Sequence, residues 1–408
     1  MNIGFIGLGK LGMPCAEEIA KAGHVVFGYD VEPRDTSLVD VQSSIEDVVS
    51  KSEIIFIAVP TPHDKEYDGS QPCMHLEPKD FNYSIVESVL DEVNKYVDNQ
   101  LIVLISTVLP GTTRERFTPM KGRFVYNPYL IAMGTVAFDF TNPEIVMIGT
   151  EDGTETGDAK ELIQLYKSIA QNDPPYIVGT WDECECIKVF YNTFISNKIS
   201  FVNMIQDVAE RQGNINVDVV TGALCKAGTR IINSSYMKAG MGDGGACHPR
   251  DNIALRFLAK KLRLGYDLFK GIMLSREEQA RNLALKLVEL AWDNKMPIVI
   301  HGKAYKPRVS YTEGSYSLLV GHFCKEVAAP YTEDIPVKYV DKCTGDTYDS
   351  NKPAVFLLAH SATTTYRYWD NPDNDELYCE IPEGSIVVDP WRKFTSDTLE
   401  VIHYGKTR

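Results

Sequence analysis

Long apolar runs are missing from this 408-residue chain. No stretch approaches the roughly 20 residues that span a bilayer, so no membrane span is expected. The first residues run straight into a strand pattern, without the charged and apolar regions of a secretory leader. Positive charge is scarce as well. Lys and Arg number 41 against 56 Asp and Glu, a formal net charge of −15. That balance argues against nucleic-acid or anionic-membrane binding, while leaving room for a local basic pocket around a phosphate. The nine cysteines are scattered and odd in number, which points to a reducing cytoplasm. Cys184-Glu185-Cys186 lacks a second pair at zinc-finger spacing, so no metal site is expected. Short-period repeats and low-complexity tracts are absent too. What remains is an ordinary globular composition, 44% hydrophobic and 24% charged, long enough for two or three domains.

The chain opens with a strand at 2–6, a glycine-rich turn, a helix at 13–22 and a strand at 24–29, which make a βαβ unit. Apolar runs at 53–59, 101–106 and 144–148 continue a doubly wound parallel sheet to about residue 180. Helical spacing then takes over at 186–211, 217–226, 252–264 and 275–293. Strand patterns return at 297–302, 337–340, 354–358 and 385–388, with a helix near 315–325. The fold class is therefore α/β: two Rossmann-like doubly wound domains joined by a helical segment, with divisions at 1–181, 182–294 and 295–408.

Three groups of residues carry chemistry. Gly7-Leu8-Gly9-Lys10-Leu11-Gly12 follows a strand and opens a helix, so its glycines can make a tight turn and admit a pyrophosphate at the helix N-terminus. Asp30, at the end of the next strand, can accept hydrogen bonds from ribose hydroxyls and would repel the extra phosphate of NADP; NAD is the expected cofactor, with nearby Arg34 keeping NADP open. Pro60 and Thr61, and Ser106 and Thr107, follow two later strands, at the edge of an α/β sheet where ligands bind. A second group is Lys188, Asn192 and Ser196, which share one face of a helix; a lysine and an asparagine facing a cleft can stabilise a developing oxyanion, and a solvated stripe is the bland alternative. The third is the run 240–251, in which glycines precede Cys247 and Pro249 suits a first helical turn. Free N–H groups at a helix start favour a thiolate, so Cys247 is the candidate nucleophile.

In order along the chain, these motifs together with Val59-Pro60-Thr61-Pro62, Asp68-Gly69, Asn127-Pro128 and Gly302-Lys303-Ala304-Tyr305-Lys306-Pro307 resemble the UDP-glucose/GDP-mannose dehydrogenase family. The resemblance implies four-electron oxidation of a nucleotide-sugar alcohol, from UDP-glucose or a related UDP-hexose, to a uronic acid with NAD. It implies an N-terminal NAD domain, a helical dimerisation segment and a C-terminal domain holding the nucleotide. Cys247 matches the nucleophile, Lys188 and Asn192 the oxyanion-stabilising groups, Asp251 an acid–base or water-orienting residue, and Thr107 a hydroxyl near the reacting carbon. Arg230 matches an arginine that reaches the sugar from the partner of a homodimer. Tyr129, Tyr236, Gly244, Gly245, Lys306 and Arg392 complete the expected substrate set.

Departures stand beside the match. Tyr129 and Met133 occupy positions where relatives carry glutamates, the first of them associated with activating water for thioester hydrolysis. Arg250, His248 and Glu313 replace a lysine, an apolar residue and an NAD-contacting arginine. Two other readings stay open. The opening run Gly4–Lys10 also resembles β-hydroxyacid dehydrogenases, and Tyr129, Met133 and Glu313 fit a nucleotide-sugar-binding paralogue with impaired turnover.

Overall fold

The computed structural model describes residues 1–62, 72, 75–77, 79–117, 120–132, 134–155, 157–232, 239–243, 245, 247–307, 309–331, 334–348, 351–361 and 381–406, the side chains at 199, 247, 250, 251 and 254 excepted. The expected site residues Tyr236 and Gly244, together with Met133 and Asp68-Gly69, lie outside the described residues, as do the side chains of Cys247 and Asp251. The chain divides into two compact units, Met1–Lys198 and Ile199–Arg408.

In the first unit the elements run β1 (Asn2–Ile6), α1 (Gly12–Lys21), β2 (Val25–Tyr29), β3 (Asp40–Val41), α2 (Ile45–Lys51), β4 (Ile54–Ile57), α3 (Ser84–Tyr96) and β5 (Leu101–Leu104). They continue with α4 (Thr112–Arg116), β6 (Arg123–Tyr126), α5 (Val136–Thr141), β7 (Val146–Thr150), α6 (Asp158–Ile169) and β8 (Tyr176–Thr180). The eight strands form one sheet in the order β3-β2-β1-β4-β5-β6-β7-β8. Strands β4 and β5 are buried along their whole length, because helices cover both faces. Alternation sorts their side chains: Ile54, Phe56, Leu101 and Val103 join one core cluster with α1, while Ile55, Ile57, Ile102 and Leu104 join another with α2 and α3.

The sheet is parallel except at one place. Strand β7 pairs antiparallel with β6, a departure from the all-parallel expectation. A crossover back to the amino edge is required only between parallel neighbours. After β6 the chain carries the short α5, packed on α1, and then enters β7 from the same edge.

Helix α7 (Trp181–Gln212) runs from the first unit into the second. There α8 (Val217–Cys225), α9 (Cys247–Lys261) and α10 (Leu268–Asn294) are followed by β9 (Ile298–His301), α11 (Tyr316–Ala328), β10 (Val337–Val340), β11 (Val355–Leu358), β12 (Ile386–Asp389) and β13 (Glu400–His403). These five strands form a parallel sheet in the order β10-β9-β11-β12-β13. Helices α10 and α11 cover one face, with Leu287, Val320 and Phe323 packed on Ile298, Ile300 and Leu357. No helix among the described residues is long and apolar enough to cross a membrane.

Helix α1 buries Gly12, Cys15, Ala16 and Ile19, a helical stripe of small and apolar residues. At Gly12 the approach is closest: a Cβ there would stand 1.9 Å from the Gly7 carbonyl oxygen. That obstacle is backbone and cannot swing aside, so Gly12→Ala is expected to destabilise the first unit by about 3 kcal/mol, read as a lower midpoint in urea unfolding.

Candidate active site

The first unit builds a dinucleotide cradle at the carboxyl end of β1. Gly7 takes φ 95° and donates its N–H to the Tyr29 carbonyl at 2.9 Å, which turns the chain sharply after the strand. A Cβ on Gly9, by contrast, would meet nothing within 4 Å. The cradle is open at the one position where a pyrophosphate must come close, and this arrangement fits NAD. Leu8 buries its side chain and donates its N–H to Asp30 Oδ2 at 2.7 Å. Lys10 is exposed and Leu11 half-buried.

Asp30 sits at the end of β2. Burial pushes its carboxyl up, but the Glu32 N–H, the Arg34 guanidinium and the Leu8 N–H outweigh that and hold it below the usual carboxylate range. Arg34 Nη2 lies 3.0 Å from Asp30 Oδ1. The arginine that kept a 2′-phosphate open is thus paired with the carboxylate that disfavours one.

The loops after β4 and β5 brace each other. Thr61 Oγ1 donates to the Thr107 carbonyl at 2.7 Å, and Ser106 Oγ donates to the Val59 carbonyl at 2.6 Å. Pro60 is exposed and Thr107 half-buried. The Thr61 and Ser106 hydroxyls therefore fix the loops that flank the cradle.

Beyond β6 the chain makes an unexpected choice. Tyr129, expected to meet substrate, turns its ring into the core beside Phe140, 8% exposed. Its hydroxyl lies 3.1 Å from that of Tyr166, and Tyr166 bonds Asn127 Oδ1. Each hydroxyl has one proton, so the chain of donation runs Tyr129, Tyr166, Asn127; Asn127 Nδ2 completes it by donating to the Met147 carbonyl at 2.6 Å. Burial raises the Tyr129 phenol well above its usual range. What Tyr129 presents to α7 is its carbonyl, which accepts from Lys188 Nζ at 2.6 Å. Burial in turn lowers Lys188 below the ordinary lysine value. Asn192 and Ser196, further along α7, are exposed.

In the second unit, α9 begins at Cys247, as the helix-start reading anticipates, five residues ahead of the helical spacing read at 252–264. The loop before it is moulded on three aromatic rings. A Cβ on Gly240 would stand 2.3 Å from the Trp391 ring, one on Gly242 2.2 Å from Tyr316, and one on Gly245 (φ 89°) 3.3 Å from Tyr305. At 240 and 242 the glycine is required by the protein's own side chains rather than by a ligand. Asp243 Oδ1 receives Arg276 Nε at 2.5 Å, and the Arg276 guanidinium lies over the Tyr316 ring.

Arg392, expected on the substrate, donates from Nη2 to the Ala239 carbonyl at 2.6 Å and from Nη1 to the Tyr404 carbonyl at 3.1 Å. It anchors the start of the glycine loop. Lys306 is exposed over the Tyr305 ring, 5.3 Å from its centre, and Arg230 and His248 are exposed. Arg276, Tyr316 and Trp391 gave no signal in the sequence, since each lies far along the chain from the loop it supports.

Comparison with known proteins decides the family. The NAD binding domain of the UDP-glucose/GDP-mannose dehydrogenase family matches residues 33–170, and the central domain of the same family matches residues 182–277. Between them they cover more than half of the chain. The chain belongs to the UDP-glucose/GDP-mannose dehydrogenase family. An uncharacterized protein of Methanocaldococcus jannaschii is 28% identical over 62% of this chain, a match spanning only 30% of that protein. The UDP-glucose 6-dehydrogenase YwqF of Bacillus subtilis is 24% identical over 78% of this chain and 76% of its own length. The fold matches that of a ternary complex of GDP-mannose dehydrogenase from Pseudomonas aeruginosa, with a TM-score of 0.77 at 20% identity over 98% of this chain and 99% of that one.

As a member of the UDP-glucose/GDP-mannose dehydrogenase family, the protein is an NAD-dependent dehydrogenase, and its first unit holds the cofactor. The open Gly9 separates binding from folding. Gly9→Ala is expected to leave the melting temperature within about 2 °C of the parent while weakening NAD at least about tenfold, because the added methyl occupies the pyrophosphate approach; isothermal titration with NAD and a thermal melt check both halves.

Proposed function

We propose that the protein oxidises the primary alcohol of a nucleotide sugar, a UDP-hexose such as UDP-glucose, to the corresponding acid through a covalent bond to Cys247. The observation that carries this reading is the start of α9 at Cys247, behind a loop braced by Trp391, Tyr316 and Tyr305. The first-turn N–H groups of α9 favour a thiolate at that position. NAD, when held in the cradle of the first unit, would supply the hydride acceptor for both oxidations. After the first, the thiolate adds to the aldehyde to give a thiohemiacetal; loss of hydride from it gives a thioester, and water releases the acid and returns the thiol. Lys188 and Asn192 stabilise the oxyanions, Asp251 orients water, and Thr107 lies near the reacting carbon in this proposal.

Tyr129 makes the last step the slow one. A glutamate at this position would bring a base; Tyr129 brings a phenol that is buried, raised and bonded to Tyr166. The expected substrate contact at Tyr129 is reassigned to its backbone, because the ring is packed in the core. Supporting a homodimer, α7, α8 and α9 expose large apolar side chains, among them Phe190 (63%), Val219 (69%) and Phe257 (68%). We assign Arg230 to the partner's sugar, the C-terminal sheet to the nucleotide, and the protein to a reducing cytoplasm.

A panel of nucleotide sugars with NAD tests the reading. At least one UDP-hexose is expected to yield about two NADH per sugar, and Cys247→Ala is expected to form no acid. NADH from no sugar in the panel, or unimpaired turnover by Cys247→Ser with one NADH per substrate, would overturn it, the latter in favour of a hydroxyacid dehydrogenase.

A further inference from the structure

Glu185 is a carboxylate with no solvent exposure, placed in the first turns of α7. Its Oε2 accepts the Gly111 N–H at 2.6 Å and its Oε1 the Thr113 N–H at 2.8 Å. These amides open α4, whose first donors have no partner within the helix. They also terminate the segment that leaves β5 through Ser106 and Thr107. Burial pushes the Glu185 carboxyl up, and the Thr113 and Gly111 donors offset only part of that rise.

Lys188 follows Glu185 by three residues, so both lie on the same face of α7. One grips the segment after β5 and the other, through the Tyr129 carbonyl, the segment after β6. The segment after β5 is tied in turn to the one after β4 by Thr61 and Ser106. Three loops at the cofactor edge of one sheet are thereby joined to one helix face, and a second pair, Arg114 with Asp182 at 2.9 Å, ties α4 to α7 from outside.

We infer that Glu185 is a positioning residue that sets α7 against the segment after β5, fixing Lys188 relative to Thr107 and the NAD cradle. It touches neither cofactor nor reacting atoms. Both of its oxygens are needed as acceptors. Glu185→Gln puts an NH2 group against a backbone N–H, so only one of the two amides keeps its bond. Glu185→Asp keeps two acceptors on a side chain one methylene shorter and reaches them less well.

The test uses the full-length chain, with thermal melts to verify folding, NADH titration by fluorescence, and reductive methylation of Lys188 followed by peptide mass spectrometry. Glu185→Gln is expected to weaken NADH and to accelerate Lys188 labelling, each by roughly fivefold or more, the scale of one lost buried hydrogen bond. Glu185→Asp should fall between Gln and the parent. In turnover the loss should appear in kcat more than in KM for the sugar, a split that simple destabilisation does not produce. A folded variant of either kind whose NADH affinity and Lys188 labelling both stay within about twofold of the parent overturns the inference; should the Gln variant not fold, the Asp variant decides by the same two readings. Turnover rests on the proposed reaction, whereas labelling and NADH binding do not. A parent enzyme inactive on every sugar therefore counts against that reaction alone.

Discussion

The hydrogen bond from Lys188 to the Tyr129 carbonyl fixes the backbone after β6 against α7. It needs the backbone after β6 to point its carbonyl toward α7, and that orientation sends the Tyr129 ring the other way, into the core with Phe140 and Tyr166. The ring then completes a buried chain of donors through Tyr166 and Asn127 to the Met147 carbonyl on β7. A carboxylate buried in place of that ring would lie in the same apolar cluster without a cationic partner from Lys188, whose ammonium is on the backbone carbonyl, at a cost of several kcal/mol. Tyr129 thus stabilises the fold where a glutamate at the same position would activate water.

Both sheets turn the chain after their first strand with one device. Gly7 donates to the Tyr29 carbonyl and Leu8 to Asp30; Gly302 donates to the Val340 carbonyl at 2.8 Å, and Lys303 and Ala304 donate to Asp341 Oδ2 at 3.0 and 2.8 Å. In each case a carboxylate at the end of the neighbouring strand receives the amides of the turn. The consequence differs. Gly7 and Gly302 are both crowded, by the Ala58 carbonyl and the His360 ring, but two residues on, the first unit has the open Gly9 and the second the buried Ala304, and the Lys303 ammonium is held by Asp346 at 2.8 Å.

Much of the scaffold was legible in the sequence, because strands buried on both faces read as short apolar runs and the glycine turn has a fixed spacing. Strands β3, β6, β8 and β13 escaped: β3 has two residues, β6 begins with Arg123, and the edge strands β8 and β13 are only partly buried. The antiparallel step to β7 was hidden as well, since it depends on where α5 docks. At the site, spacing alone announced Cys247 at a helix start. It does not say whether a glycine approaches a ligand or an indole, and so Trp391 behind Gly240 and Tyr316 behind Gly242 were missed. The Tyr129 ring was assigned to the substrate because its inward turn depends on Tyr166, 37 residues away.

Release of the acid after the second oxidation is the step at which Tyr129 in place of a glutamate has its consequence. Intact-protein mass spectrometry of rapidly quenched reactions, with a nucleotide sugar that yields NADH, follows the covalent state of Cys247 directly. An acyl adduct on Cys247 is expected to accumulate to a large fraction of the enzyme while NADH formation runs ahead of free acid. Free acid appearing in step with the second NADH, with no adduct on Cys247 at any time, would show that water is activated promptly without a glutamate at position 129 and would contradict that expectation.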